Sequence, residues 1–308
     1  MILCAGEALI DMLPRTTQAG EAAFAPHAGG AVFNTAIALG RLDAPVGLLT
    51  GLSTDLFGQV LENALKASNV SSDHAIRSDR PTTLAFVKLT NGQAEYAFYD
   101  ENTAGRMLEP NDMPMEIAGV KAAFFGGISL PVEPGGAAYE ALCERLSTTA
   151  AIMIDPNIRR DFITDEARYR TRLEAMLERA DIIKISDEDL AWIAPGQSLE
   201  DAATGYVAAG TKLVCVTKGA EGATGYWAGG PTDVTAERAE VVDTVGAGDT
   251  FNAGVMASLQ NHGLLSKDGL SNLTQDAVRA ALSLGAKAAA ITVSRAGANP
   301  PFARDISR

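Results

Sequence analysis

Residues 243–254, Asp-Thr-Val-Gly-Ala-Gly-Asp-Thr-Phe-Asn-Ala-Gly, hold the residue types and spacing best suited to chemistry in this chain. Two glycines flank one alanine, Asp249 follows at once, and apolar residues then recur at Phe251, Ala253, Val255, Met256 and Leu259. This is a flexible turn opening a helix. The backbone N–H groups of Gly246, Ala247, Gly248 and Asp249 would stand at the helix N-terminus. Unpaired donors and the positive end of the helix dipole favour an anion there. A carboxylate beside that spot could take a proton from a hydroxyl while the amides hold a phosphate. The competing reading is a plain helix start, because aspartate is among the best N-cap residues. No Gly-Lys-Ser/Thr follows, so this is not a Walker A loop. Phe251 occupies the place of the third glycine of a dinucleotide fingerprint.

Further candidates recur at the ends of apolar runs. Gly29-Gly30 precedes Asn34 and a helix expected over 35–42; two glycines admit a ligand close to the backbone, and Asn34 offers a donor and acceptors. Asp11 stands just past the first apolar run and could accept sugar hydroxyls, or be a solvated loop acid. Asp155-Pro156-Asn157-Ile158-Arg159 ends another run, and Arg159 could pair with a phosphate or hold a hydroxyl. Lys184-Ile185-Ser186-Asp187-Glu188-Asp189 could hold Mg²⁺ through water; it reads equally as a capping box with first-turn acids. Thr217, Gly219 and Gly222 could line a nucleotide, or form the turn of a hairpin into Ala223–Trp227.

These sites need elements to position them. Short apolar runs at 1–5, 45–50, 122–126, 151–155, 181–185 and 212–217 read as strands covered on both faces. Helical patterns lie between and after them, near 32–42, 56–68, 136–148, 165–179, 187–193, 199–209, 249–262 and 274–290. The alternation predicts an α/β fold with a doubly wound, mostly parallel sheet and helices on both faces. Residues 82–100 break the rhythm. Two β-prone segments flank Asn91-Gly92, a hairpin signal, so a projecting hairpin is expected. Phe98 and Tyr99 give it aromatic surface suited to a lid or an interface.

The 308 residues suit one large domain, and 47% apolar residues suffice for its core. A formal charge of −13 with no long basic cluster argues against nucleic-acid binding. Cys4, Cys143 and Cys215 are far apart and read as buried small hydrophobes in a reducing compartment. His27, His74 and His262 have no metal-site spacing, which disfavours zinc or a histidine triad. No signal peptide is visible. The apolar stretch 277–293 carries Arg279 and Lys287 and reads as a packed helix and following strand, not a membrane span.

Taken together, these segments resemble the ribokinase-like (PfkB-type) carbohydrate kinases over essentially the whole chain. Asp243-Thr-Val-Gly-Ala-Gly-Asp-Thr-Phe is similar to that family's C-terminal signature, and Gly29-Gly-x-x-x-Asn34 to its N-terminal one. Gly6-Glu7-Ala8-Leu9-Ile10-Asp11, Asp155-Pro-Asn-Ile-Arg159 and the 296–301 tail resemble bacterial fructokinases within it. The resemblance implies one kinase domain over 1–308 with a small β-lid from about 11–27 and 82–105. It implies ATP with Mg²⁺, a sugar substrate, a cytoplasmic setting, no membrane or nucleic-acid partner, and room for a homodimer through the lid. Asp249 would be the base, and the amides of Gly246, Ala247, Gly248 and Asp249 would stabilise the transferring phosphoryl. Asp11, Gly29, Gly30, Asn34, Phe98, Arg106 and Arg159 would meet the sugar. Lys184, Ser186, Thr217, Gly219, Gly222, Gly246 and Gly248 would line the nucleotide. Asp189, where the family commonly has Glu, would reach Mg²⁺ through water, and Asp243 would shape a K⁺ site. Fructose is the expected substrate, with 2-keto-3-deoxygluconate the alternative because Arg106 and Arg159 leave room for a carboxylate. An ordinary low carboxyl pKa is expected to suffice for Asp249, since the hydroxyl turns acidic late in a loose transition state.

Overall fold

The computed structural model describes residues 1–90 and 93–306. Nine strands form one sheet in the order Thr232–Val234, Ala223–Tyr226, Leu213–Thr217, Ile182–Ser186, Ala151–Asp155, Ala122–Gly126, Ile2–Ala5, Val46–Leu49, Val70–Ser71. The first two are antiparallel to their neighbours; the rest are parallel. All six expected strands are present, and their apolar runs have the expected cause. Ile2 and Cys4 join the core on one face while Leu3 and Ala5 join the core on the other, and Phe124 and Phe125 divide the same way. A two-residue side-chain period with both faces covered makes most positions of these strands apolar.

The eight expected helices also form, among them Ala31–Arg41, Asp187–Ile193, Ala247–Asn261 and Gln275–Val293. One expectation fails: 277–293 is helix to its end, with no strand following. Thr274 caps the start by accepting from Ala277 N, and the stretch from Ala281 to Val293 contains no proline, with Gly285 its one weak helix former. A run rich in alanine continues as helix rather than strand. Gly285 then lets this helix approach Ala247–Asn261 closely, because a Cβ on Gly254 would lie 2.6 Å from the Gly285 Cα.

A second sheet of four strands, ordered Ala22–Gly29, Leu9–Thr16, Leu84–Thr90, Gln93–Tyr99, stands apart from the main one. The strands Leu84–Thr90 and Gln93–Tyr99 pair antiparallel as expected; the Asn91-Gly92 turn between them lies outside the described residues. Asp11 therefore sits within a strand of this sheet, not in a loop past the first strand. Leu9–Thr16 pairs along its whole length with Ala22–Gly29, and Gly29 leads directly into helix Ala31–Arg41. The second sheet is thus joined rigidly to the element that carries Asn34.

Candidate active site

Helix Ala247–Asn261 begins at Gly246, whose left-handed backbone (φ 78°) favours glycine. Asp249 is therefore not the N-cap, and the plain-cap reading of this residue fails. It lies in the first turn, 7% exposed, and its Oδ2 accepts from Asn34 Nδ2 at 2.9 Å. Asn34 is itself in the first turn of helix Ala31–Arg41, which starts one residue before the expected 32–42 pattern and so includes Asn34 instead of beginning after it at Thr35. That start turns the amide toward Asp249, and Thr35 Oγ1 adds a bond to the Asp249 carbonyl at 3.3 Å. Among the described residues no acceptor takes the N–H groups of Gly246, Gly248 or Asp249. Thr250 Oγ1 donates to Gly246 O at 2.8 Å and receives a bond from Thr292 Oγ1 at 3.0 Å, which holds the turn to the neighbouring helix. The result is a fixed cluster of donors beside one buried acid, as an anion site requires.

The Asp249 carboxyl is pushed up to about 7, first by burial and then by Asp155 and Glu7, with Asn34 and Lys184 opposing. This corrects the expectation of an ordinary low pKa. Withdrawal from water disfavours the charged form more than one amide and a nearby ammonium can offset. Such a group changes state near neutral pH, where a general base works best. Asp11, partly buried in its strand, is raised to about 6 by burial.

The two glycines at 29 and 30 have a different use from the one expected. A Cβ on Gly29 would fall 2.1 Å from Asp11 Oδ2, and one on Gly30 would fall 3.1 Å from the Glu7 backbone O and from its Cγ. The space is filled by the chain's own acids. Glu7 is the functional residue the sequence reading missed. It is 8% exposed; Oε1 accepts from Ala31 N at 2.9 Å, and Oε2 accepts from Ser129 Oγ at 2.8 Å and Ser129 N at 3.3 Å. It caps the helix that carries Asn34 from outside, because Gly30 has no side chain to do so. Its signal was the spacing Gly6-Glu7 at a strand end, a lone acid inside an apolar segment.

A cleft of about 540 Å³ opens beside the anion turn. Thr217, Gly219 and Gly222 line it with Ala247 and Gly248, as expected for a nucleotide groove. Its floor is apolar: Phe251, Ala286, Ala289, Ala290 and Val293. The alanine run of helix Gln275–Val293 leaves this room, a signal legible only once the helix is placed. Gly222 has φ +106°, and a Cβ there would meet Val234 O at 2.1 Å. Gly222→Ala is expected to shift the cleft wall and raise the nucleotide KM roughly tenfold, leaving the sugar KM unchanged; initial-rate kinetics in both substrates check this.

Other expected residues are placed elsewhere. Lys184 does not line the cleft; it is buried and bonded to Asp155 Oδ2 at 2.9 Å. Ser186 Oγ accepts from Asp189 N at 3.1 Å and caps its helix, so the capping reading holds for it. Asp189 Oδ2 accepts from Ile158 N at 3.3 Å, and burial and Asp155 raise its carboxyl. Arg159 is exposed, with its guanidinium on the neighbouring Ile158 carbonyl. Arg106 donates Nε to Glu133 O at 3.1 Å and lies 3.6 Å from Asp100 Oδ2. Phe98 packs edge-on to Phe162, centroids 4.2 Å apart, joining the second sheet to the loop after Arg159. Asp243 accepts from Val245 N and Gly297 N at 3.0 and 2.9 Å and ties the anion turn to the 295–299 segment.

The pfkB family carbohydrate kinase model matches residues 1–304. The chain belongs to that family. As a carbohydrate kinase it is a phosphotransferase acting on a sugar hydroxyl. It is 51% identical over 279 residues to a fructokinase of Rhizobium leguminosarum bv. trifolii, covering 91% of this chain and 86% of that protein. It is similar to the crystal structure of a fructokinase with bound ATP from Xylella fastidiosa, with TM-score 0.88, 25% identity, and 99% and 96% of the two chains covered. It shares its fold with a fructokinase from Vibrio cholerae O395 in a fructose, ADP and calcium ion bound form, at TM-score 0.84 and 23% identity over 96% and 94% of the two chains. The ribokinase-like resemblance and the fold expected from it are both borne out. Among the described residues no helix is long and apolar enough to cross a membrane.

Proposed function

We propose that this kinase transfers the γ-phosphoryl of ATP to a primary hydroxyl of fructose, with Asp249 as general base. The observation that carries the reading is the buried Asp249 carboxylate, held by Asn34 beside free amides at the mouth of the 540 Å³ cleft. The similarity to fructokinases supports fructose. Arg106 favours a neutral ketose over 2-keto-3-deoxygluconate: its guanidinium already faces Asp100 and Glu133 O, which leaves little free charge for a carboxylate. Asp11, Gly30 and Asn34 frame the sugar beneath the four-stranded sheet, which acts as the lid of one domain spanning the chain.

Phosphoryl transfer has a loose transition state, so positioning and charge stabilisation dominate. Asp249 removes the proton of the attacking hydroxyl, and the amides of Gly246, Gly248 and Asp249 meet the charge on the phosphoryl oxygens. Asp189 suits Mg²⁺: it keeps one carboxylate oxygen free of protein partners beside the buried Asp155, and Mg²⁺ needs only one or two carboxylates besides water and phosphate. Bound there, Mg²⁺ would screen phosphate charge. Asp243 uses one lone pair of each oxygen, leaving others for K⁺. The exposed Phe24 and Tyr99, both edge-on to Phe86, suit a homodimer through the lid. Three buried free thiols suit the cytoplasm.

A coupled ADP-release assay over a sugar panel, with and without K⁺, tests the reading. Turnover highest with fructose is expected; turnover only with 2-keto-3-deoxygluconate would replace the substrate assignment, and none with any sugar would sink it.

A further inference from the structure

Behind the anion turn lies a buried polar group that the lining of the nucleotide cleft does not account for. Asp155 ends one strand and Lys184 is the middle residue of the next; they are 1% and 5% exposed. Asp155 Oδ2 accepts from Lys184 Nζ at 2.9 Å and from Asn252 Nδ2 at 2.7 Å. Asn252 is fully buried one turn beyond Asp249 on the same helix. The ammonium lies 3.0 Å from the point a Cβ on Gly248 would occupy, so glycine there lets Lys184 stand close against the anion turn. Asp155 is the one acceptor of its three N–H donors among the described residues.

A structural role alone explains this group poorly. Buried ion pairs contribute little net stability compared with apolar packing. Two acceptors, Asp155 Oδ1 and Asn252 Oδ1, are buried with no hydrogen-bond partner. Unsatisfied groups of this kind are costly and concentrate where function requires them. The geometry has a direction: the Asn252 amide holds the Asp155 carboxylate, the carboxylate holds the lysine from behind, and the ammonium stands beside Gly248.

We propose that Asp155 and Asn252 are positioning residues that aim the Lys184 ammonium past Gly248 at the transferring phosphoryl group. Lys184 is then a catalytic residue rather than part of the nucleotide lining. This rests on the kinase activity of the site. The reaction itself is unchanged: the γ-phosphorus–oxygen bond breaks, the sugar oxygen–phosphorus bond forms, and the hydroxyl proton goes to Asp249. Lys184 supplies fixed positive charge and gives up no proton.

Three variants test it. Lys184→Met should lower kcat about 10²–10³-fold, as loss of a preorganised charge donor does, with the sugar KM within about twofold. It should also lower the melting temperature, because Asp155 is left buried and unpaired. The double variant Asp155→Asn/Lys184→Met removes both charges and should recover most of the melting temperature without recovering kcat. A double variant with kcat within about threefold of the native value would overturn the proposal, since kcat would then follow stability alone. Asn252→Ala keeps both charges and releases the anchor. It should cost roughly tenfold in kcat and move the acidic limb of the kcat/KM profile upward, as the ammonium drifts from Asp249. An unchanged kcat and limb in this variant would remove Asn252 from the positioning role, and it decides that point even if the double variant does not fold. Native protein that releases no ADP with any sugar would instead end the kinase reading itself.

Discussion

Asp249→Asn is expected to fold, to bind sugar and nucleotide, and to lose kcat by about 10²–10⁴-fold, the usual contribution of a general base. The amide preserves shape, and its oxygen can still accept from Asn34 Nδ2, so the anion turn stays in place. Only the ability to take the hydroxyl proton disappears. As the proposed base, the same group should set a pH limb in the native enzyme. Activity needs the carboxylate, which forms as pH rises through about 7, so kcat/KM should climb across that value and level above it. Near-native kcat in the variant would remove Asp249 from the base role.

The stability consequence runs the opposite way. A carboxyl raised from 3.8 to about 7 binds a proton in the folded state that the unfolded state has already released. Between those pH values the folded state holds more protons, so stability falls as pH rises and the full penalty is present above pH 7. The shift corresponds to at most about 4 kcal/mol. Asp249→Asn should therefore melt higher than the native enzyme at pH 8 and show little difference at pH 4. Calorimetry at the two pH values measures it, and equal melting temperatures at pH 8 would contradict the burial argument.

Glu7→Ala is expected to give the second large effect, in stability and in sugar binding together. It strips acceptors from Ala31 N, Ser129 N and Ser129 Oγ. Buried donors left unpaired cost about 1–3 kcal/mol each before relaxation, so a net loss of about 2–4 kcal/mol is expected. The melting temperature should fall by roughly 3–6 °C for a chain of this size. The helix start at Ala31 also loosens, and with it Asn34 and the Gly29-Gly30 link to the second sheet. Sugar KM should then rise about tenfold or more, because small misplacements of positioning groups are costly. A stable variant with native KM would remove Glu7 from any role in positioning Asn34 or the sugar.

Several features were legible because they are local. The apolar runs at 2–5, 122–126 and 151–155 could only be strands covered on both faces, and Ser186 three residues before Asp189 could cap its helix. The hairpin pattern at 82–100 fixed a projecting pair from composition alone. Gly222 and Gly246 mark positive-φ positions that local sequence can signal. Where local signals competed, as between helix and strand after 290, the sequence did not decide; a continuous alanine-rich helix packed through Gly254 and Gly285 did.

The sequence by itself determined the family, the parallel sheet and the anion turn, because each rests on neighbours within a few residues. Only the tertiary structure decided the chemistry of that turn. Asn34 meets Asp249 across 215 residues of chain, Glu7 reaches Ser129 across 122, and Asn252 reaches Asp155 across 97. Burial of Asp249 between these segments raises its carboxyl to about 7, and burial is a property of the assembled layers rather than of any short segment. The spacing of residues 243–254 could place a carboxylate beside free amides. Withdrawal of that carboxylate from water, which makes it a base near neutral pH, required the whole fold.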